Sequence, residues 1–434
     1  MVPWIFVHDP LERWMADYKR IFDAWAEGGV RGLVFGYMQF KQDDGTTIPS
    51  FASDPKVFEA FGETPPPPAA RDPQKEKQLH AMLDDAASRG WNIMIFAGYR
   101  GLAGTQDIVN AYPQAHGVIS DGPGENHYEL PFHHGGKVFE IRAPERFEAI
   151  GADVERMQRG IDHLSQRFHN LTPGLVRYHA PGGMLGTLNL FDLNEDVLYW
   201  LRMRQEWSHS EWRAARANID RLNRRVQLGA IPRTAAFSSL TGQNYQQMTP
   251  YYDFIFPKHY YWHRGFDGLY GTVARWVQTL SQWNPSLTEE DCFSVVRSIF
   301  GIDLPGVRSL MDMEMGFPDE FFSRVVYGET RRALAAIGDD DKVIAWVSTG
   351  RSPHAGDAMP VRDLVGILRA SQEAGLKRFI FHPDPDLGAA EWRVMSDMCG
   401  KRWDEGLDGY WPSDTDHPQY AWWTGHPKRR PRPK

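Results

Sequence analysis

The sequence predicts an α/β protein, a (β/α)8 TIM barrel with long loops at the carboxyl-terminal face of its strands. Short apolar runs alternate with amphipathic segments along the chain, as expected for alternating strands and helices. Several of these runs, including 93–97 and 343–347, are apolar almost throughout, which is typical of parallel strands covered on both faces. Parallel strands need a crossover after each strand, and the amphipathic segments supply it.

Eight apolar runs are the predicted strands: Trp4–His8, Gly32–Tyr37, Asn92–Ala97, Gly117–Asp121, Gln227–Ala236, Asp253–His259, Lys342–Ser348 and Arg378–His382. The predicted helices are at about Leu11–Ala26, Gln74–Arg89, Pro144–His169, Val197–Arg225, Leu269–Trp283, Glu320–Ile337, Pro360–Ala374 and Ala389–Met398. Eight strands with helices between them close most naturally into a barrel. An open doubly wound sheet is the alternative, and it is weakened because no strand is followed by a glycine-rich dinucleotide or phosphate loop.

Three connections are long and follow the second, fourth and sixth predicted strands: Met38–Pro73, Gly122–Arg142 and Tyr260–Phe322. Long connections in a compact domain are usually functional, and these would roof the catalytic face. The barrel is predicted to span residues 1–403. Residues 404–434 are predicted to be a carboxyl-terminal extension with a frayed end.

Composition excludes several classes of protein. The formal net charge is −8, and the one concentrated basic run is at 428–434, so nucleic acid is not expected to be a main partner. The two cysteines are too few for a disulfide framework or a zinc site. No stretch of 18 apolar residues and no export signal occur, so we expect a cytoplasmic enzyme with no membrane partner. The oligomeric state is left open.

Polar residues stand where the predicted strands end, and in a barrel these side chains surround one mouth. Their concentration indicates a substrate site, because charged and imidazole groups are costly to desolvate without a function. The predicted substrate-binding residues are His8, Asp9, Tyr37, Arg100, Lys258, His259, Trp262, His263, His382 and Asp384.

Asp121 is the leading catalytic candidate because it ends the fourth predicted strand, and Gly122 and Pro123 turn the chain directly after it. Glycoside cleavage needs two carboxyl groups, one as acid and one as nucleophile or base. We therefore predict Asp121 as nucleophile or base. The candidate acids, in falling order of preference, are Glu129, Asp267 and Glu314.

Two alternatives remain open. The strand-end histidines His8, His259, His263 and His382, with Asp9 and Asp384, could form a metal site of a hydrolase or isomerase. The first predicted strand lacks a His-x-His pair, however, and we expect neither a metal nor another cofactor. The second alternative is a noncatalytic sugar-binding barrel.

These strand-end segments resemble those of the glycoside hydrolase-like TIM-barrel proteins of bacterial genomes. The likeness is carried by 117–123, 257–271 and 382–392 and spans most of the barrel. It implies carbohydrate chemistry without naming a sugar, and we predict a glycosidase acting on a small carbohydrate or glycoside. The chain lacks the strand-four Asn-Glu pair and strand-seven Glu of the large retaining-glycosidase clan. Asp121 is similar instead to the nucleophile position of several α-glycosidase families, whose strand-six aspartate would be Asp267.

Overall fold

The computed structural model describes residues 1–7, 10–97, 101–128, 138–261, 268–316, 318–348, 361–382 and 389–399. Its described strands are β1 (Val2–Val7), β2 (Gly32–Phe35), β3 (Gln39–Lys41), β4 (Thr47–Pro49), β5 (Asn92–Phe96), β6 (Gly117–Asp121), β7 (Gln227–Ile231), β8 (Phe254–Ile255), β9 (Lys258–His259), β10 (Ala345–Ser348) and β11 (Arg378–His382). β3 and β4 form a small antiparallel hairpin. The other strands form one parallel sheet in the order β8-β7-β6-β5-β2-β1-β11-β10-β9.

The parallel sheet closes on itself because β8 and β9 are two halves of one strand position. β8 pairs with β7, and β9 pairs with β10. Between the halves, the Ile344 amide donates to the carbonyl of Ile255 at 3.0 Å, and the Trp346 amide donates to that of Pro257 at 2.8 Å. In the described part of the chain the ring therefore has eight strand positions, and the predicted (β/α)8 barrel is confirmed.

Helices cover the outside of this ring. Those described are α1 (Leu11–Glu27), α2 (Pro55–Phe61), α3 (Pro73–Ser88), α4 (Leu102–Ala111), α5 (Pro144–Glu148), α6 (Val154–Phe168), α7 (Pro173–His179), α8 (Gly183–Phe191), α9 (Glu195–Asp220), α10 (Tyr245–Met248), α11 (Leu269–Trp283), α12 (Glu289–Phe300), α13 (Leu310–Glu314), α14 (Asp319–Phe321), α15 (Tyr327–Ile337), α16 (Val361–Glu373) and α17 (Ala389–Met398). Short 3-10 turns occupy Ala235–Ser239 and Asp340–Lys342, and a π-helical turn joins α14 to α15 at Phe322–Val326.

Side chains of alternate strand residues fill the barrel interior. This inner cluster consists of Trp4, Val34, Met94, Ile119, Ile231, Phe256, Tyr260, Ile344, Trp346 and Ile380. At the bottom of β2, a Cβ on Gly32 would lie 2.1 Å from the Trp4 ring, so glycine makes room for the indole. A larger apolar cluster lies between the strands and the helices. Because a strand alternates its side chains, successive residues belong to these two layers in turn.

The predicted and observed elements differ mainly between the strands. α4, which follows β5, was not predicted, and the predicted helix Pro144–His169 is divided into α5 and α6. The connection after the sixth strand position was predicted to be long and contains the helices α11, α12 and α13. Two of the three predicted long connections therefore carry regular structure: 38–73 contains β3, β4 and α2, and 260–322 contains α11 to α14.

Among the described residues, no helix is both long enough and apolar enough to span a bilayer. The proposed extension at 404–434 lies outside the described residues, so the predicted domain boundary stays a prediction.

Candidate functional site

Three neighbouring strand positions each direct one charged side chain into the carboxyl-terminal mouth of the barrel. These residues are Asp121 at the end of β6, Arg233 just beyond β7, and Lys258 in β9. Each lies two residues after a member of the inner cluster. Asp121 follows Ile119, Arg233 follows Ile231, and Lys258 follows Phe256 in this way. Because side chains of a strand alternate between its two faces, residues two positions apart point the same way, so the three charged side chains also point inward. Within the described residues, these three strand ends bring one carboxylate and two cations to the mouth of the barrel.

Asp121 and Lys258 form an ion pair in this mouth. The Nζ atom of Lys258 lies 2.8 Å from Oδ1 of Asp121. The lysine side chain is 2% exposed, whereas the aspartate side chain is 39% exposed. Burial lowers the pKa of Lys258 from 10.5 to about 7; the nearby Asp121 carboxylate opposes this shift and Arg233 adds to it. The pair thus places a reachable carboxylate over a buried amine.

Arg233 is held at the mouth by its backbone. Its amide donates to the Gln243 side chain at 2.8 Å, and the Tyr245 hydroxyl donates to its carbonyl. The guanidinium lies 5.8 Å from the centre of the Tyr128 ring, and the residue is 6% exposed. A nearly buried arginine beside a catalytic candidate is a strong local source of positive potential.

The turn after β6 is shaped by Gly122. This residue has a φ of +54°, and a Cβ there would lie 2.1 Å from the Asn126 amide nitrogen. That same nitrogen donates to the Gly122 carbonyl at 2.7 Å. Glycine adopts this left-handed conformation without strain, and a side chain at this position would have to displace the Asn126 amide.

A buried ion pair supports the same loop from below. Arg204 of α9 is 3% exposed, and its Nη2 atom lies 3.2 Å from Oε1 of Glu125. It also donates to the carbonyls of His127 and Leu240. Burial opposes the charge of Glu125, but Arg204 and His127 outweigh it and hold the pKa of this carboxyl below its usual value. Arg204 therefore fixes the loop that carries the residues after Asp121.

Some predicted binding residues lie at this mouth and others do not. Tyr37 is 55% exposed and makes an edge contact with Phe96, whose ring packs on the inner cluster, at a centroid distance of 5.2 Å. His259 instead faces the outer layer, where its Nδ1 atom lies 3.5 Å from the Ser371 hydroxyl on α16. His259 was predicted to line the mouth, and this placement corrects that prediction. It follows Lys258 directly, and because neighbouring side chains of a strand point to opposite faces, His259 points outward where Lys258 points inward.

Glu314 ends α13 and is exposed, and its carboxylate accepts a hydrogen bond from the Tyr270 hydroxyl. Tyr270 lies in the first turn of α11, and its amide donates to the carbonyl of Tyr261 at 3.0 Å. Glu314 is thus tied to the connection that follows β9, on the carboxyl-terminal side of the barrel.

The remaining predicted site residues lie outside the described residues. These are His8, Asp9, Arg100, Glu129, Trp262, His263, Asp267 and Asp384, together with the side chain of His382. In the part of the chain that the structure describes, no group of three or more histidine, cysteine, aspartate or glutamate side chains could hold a metal ion. Apart from His259, the residues of the alternative metal site are among those outside.

A cavity of about 340 Å³ lies on the other side of β6, between the barrel and the helices α4 and α9. Ser120, Leu102, Trp212 and Ile219 help to line it. Ser120 precedes the inward-facing Asp121 and therefore faces outward. Asp121, Arg233 and Lys258 are not among the residues that line this cavity.

Arg233 and Arg204 were not predicted as site residues. The sequence could have identified Arg233, because it lies two residues after the inward-facing Ile231 and therefore points to the same face as that residue. Arg204 lies in the middle of the long helix α9, where the sequence does not distinguish it from solvent-exposed arginines.

No protein-family model matches this chain, and no curated protein matches its sequence. Solved structures similar to it include several glycoside hydrolases. The PgaB (BpsB) glycoside hydrolase domain from Bordetella bronchiseptica is 10% identical with a TM-score of 0.40, over 91% of this chain and 99% of that one. The catalytic domain of a β-amylase from Paenibacillus polymyxa is 9% identical with a TM-score of 0.41, over 95% and 99%.

A β-galactosidase from the Antarctic haloarchaeon Halorubrum lacusprofundi is 9% identical with a TM-score of 0.45. The match covers 92% of this chain and 58% of the β-galactosidase chain.

Proposed function

We propose that this protein is a glycoside hydrolase and that Asp121 is its nucleophile or general base. One observation carries the proposal: the Asp121 carboxylate stands at the end of β6, 39% exposed, with the Lys258 ammonium 2.8 Å from its Oδ1. Barrel enzymes place their catalytic groups at this end of the strands. The carboxylate is both held in position and open to a ligand.

The surroundings of Asp121 suit a carboxylate that acts in its charged form. An ammonium in contact with it, and a guanidinium nearby, stabilise negative charge. A charged carboxylate can attack the anomeric carbon of a sugar or take a proton from an attacking water. Asp121 is therefore assigned to this step and not to protonation of the leaving group.

A second carboxyl group must protonate the glycosidic oxygen as the bond breaks. Glu129, Asp267 and Glu314 remain the candidates for this role. Glu314 accepts the Tyr270 hydroxyl hydrogen bond on the same side of the barrel, which keeps its carboxyl group near the connection after β9. In the complete reaction, water adds to the anomeric carbon and the released alcohol keeps the transferred proton.

The test is a panel of chromogenic glycosides of both anomers, assayed with and without a chelator. The proposal expects turnover that a chelator leaves unchanged. It expects Asp121→Asn to lower kcat/KM by about 100-fold or more. Asp220→Asn serves as the matched control, because this largely exposed carboxylate ends α9 and pairs with Arg216 at the opposite end of the barrel.

An Asp121→Asn variant with wild-type turnover would remove the proposed role. Loss of turnover on chelation would favour the metal-dependent alternative. Binding of glycosides without any turnover would indicate a noncatalytic sugar-binding barrel. The acid is identified by Glu129→Gln, Asp267→Asn and Glu314→Gln. The true acid's variant should lose activity on alkyl glycosides and keep it on dinitrophenyl glycosides, whose leaving group needs no proton.

A further inference from the structure

The cavity between β6 and the helices α4 and α9 has the size of a small-molecule site. Its volume is about 340 Å³, and ligand pockets in proteins usually begin at about 300 Å³. Gly101, Glu211 and Ala214 line this cavity and are exposed, so it opens to solvent between the two helices. A ligand therefore has both the room and a path to enter.

Small side chains keep this space open. The lining residues of α9 recur every three or four positions, so they form one face of the helix that is about 12 Å long. Trp212 and Ile219 are buried near the two ends of this face, but Ala215 between them presents only a methyl group to the cavity. Ala97, just after β5, is equally small. Protein interiors are normally close-packed, so a ligand in this gap would make contacts that the chain itself does not make.

Aromatic and aliphatic residues form most of the described lining. Trp212 and Tyr252 are almost fully buried, and Val118 and Leu228 contribute apolar surface from the strands. The indole ring of Trp212 is held in place because its Nε1 atom donates to the Pro123 carbonyl at 3.2 Å. A fixed aromatic wall beside aliphatic side chains favours a flat aromatic ligand.

Two polar side chains of the lining can bind such a ligand. The Ser120 hydroxyl and the Asn218 amide belong to partly buried residues, and neither side chain has a hydrogen-bond partner among the described residues. A hydroxyl and an amide can each donate and accept hydrogen bonds. A ligand with one hydrogen-bonding group would therefore be oriented within the cavity.

We propose that this cavity binds a small aromatic molecule that carries a hydrogen-bonding group. The ring of the ligand packs against Trp212, and Ser120 or Asn218 binds its polar group. The inference does not depend on the proposed function, because Asp121 is not among the lining residues that the structure describes. The ligand nevertheless contacts the segment that carries Asp121, since Ser120 and Pro123 both line the cavity.

The experiment is a calorimetric titration of the full chain with 2-naphthol, a flat molecule with one hydroxyl group. We expect saturable binding with a Kd of about 1 mM or tighter, the range open to so small a ligand. 2-Decalol has the same carbon skeleton and hydroxyl group but no aromatic ring, and it should bind about fivefold or more weakly. No saturable binding of 2-naphthol, or equally tight binding of 2-decalol, would overturn the inference.

Substitutions in α9 locate the bound molecule. Ala215→Phe should weaken 2-naphthol binding by about tenfold or more, because the new ring takes the place of the ligand. The smaller Ala215→Leu is measured beside it in case phenylalanine overpacks the site, and circular dichroism shows that each variant is folded. Ala217→Phe is the matched control, because Ala217 is exposed on the same helix and is not one of the described lining residues. Its affinity should stay within about twofold of the wild type. Unchanged binding in the folded Ala215 variants would place the ligand elsewhere and overturn the assignment.

The polar contact is tested with Ser120→Ala and Asn218→Ala. Loss of one uncharged hydrogen bond should weaken 2-naphthol binding by about threefold or more in one of these variants. Wild-type affinity in both would overturn the assignment of the polar group. The inference and the proposed function fail separately, because Asp121→Asn removes the proposed catalytic carboxylate and should leave 2-naphthol binding unchanged.

Discussion

Lys258 reaches Asp121 across the end of an intervening strand, with Nζ 2.8 Å from Oδ1. β7 lies between the two strands that carry them, and the curvature of the closed sheet brings their inward side chains together. An open sheet would hold strands two positions apart at about 10 Å. Closure of the barrel therefore shortens the span that the two side chains have to cover.

Substitutions of the two ion-pair residues should show that Asp121 and Lys258 depend on each other for activity and for stability. We expect Lys258→Met to lower kcat/KM, because Asp121 loses the group that positions and stabilises its charge. In a double-mutant cycle with Asp121→Asn, unfolding in denaturant should give a coupling of about 1 kcal/mol or more. Additive effects on stability would show that the two side chains act independently.

The pH dependence of activity should report the state of Lys258. Since burial lowers the pKa of this amine to about 7, raising the pH through that value removes its charge. We expect kcat/KM to fall on this alkaline side. Lys258→Arg should move the fall to higher pH, because a guanidinium keeps its proton. An unchanged alkaline limb in this variant would show that another group is responsible.

The eight strand positions were predictable because each carries an apolar run of the right length. Two of them, β6 and β11, have the predicted bounds. The ends of the apolar runs also pointed to Asp121 and Lys258. The inward or outward direction of each side chain required strict use of the two-residue period. Applied from Phe256, that period places Lys258 inside and His259 outside.

Contacts between distant elements could not be predicted in the same way. Arg204 matters because α9 places it beneath the loop after β6, and no local pattern signals that placement. Aromatic residues make up 13% of the chain, and the sequence does not show which rings pack in the core and which could bind a ligand. Trp4, Phe256 and Trp346 fill the barrel interior, where Trp4 and Phe256 meet edge to face at 6.0 Å. These rings are core residues, whereas the half-exposed Tyr37 is available to a ligand.

The loop support can be tested through Arg204. Arg204→Met leaves the Glu125 carboxylate nearly buried without its cation, and a buried pair broken on one side costs about 3–5 kcal/mol. We expect a loss of unfolding free energy of that order in urea. Adding Glu125→Gln should restore part of the loss. If the double variant is no more stable than Arg204→Met, the buried charge is not the cause.

Close packing between α6 and α9 can be tested at Gly160. A Cβ on this residue would lie 2.3 Å from the backbone oxygen of Asp196, which cannot move aside without shifting the helix. Gly160→Ala should therefore lower the free energy of unfolding by about 1–3 kcal/mol. Gly174→Ala in α7 is the control, because nothing lies within 4 Å of its Cβ position. Its stability should be unchanged or slightly higher, since alanine favours helix.

His259 should make stability depend on acid. Burial lowers the pKa of its ring from 6.5 to about 4, so the folded protein favours the neutral ring. This contribution to stability is complete above pH 6.5 and is lost as the pH falls toward 4, because the unfolded chain binds the proton first. The full loss corresponds to about 3 kcal/mol. Denaturant unfolding between pH 7 and 4 should show a flatter profile for His259→Leu than for the wild type. His163→Gln, which changes a more exposed ring on α6, should keep the wild-type slope. Parallel profiles for the wild type and His259→Leu would mean that the buried ring does not govern acid sensitivity.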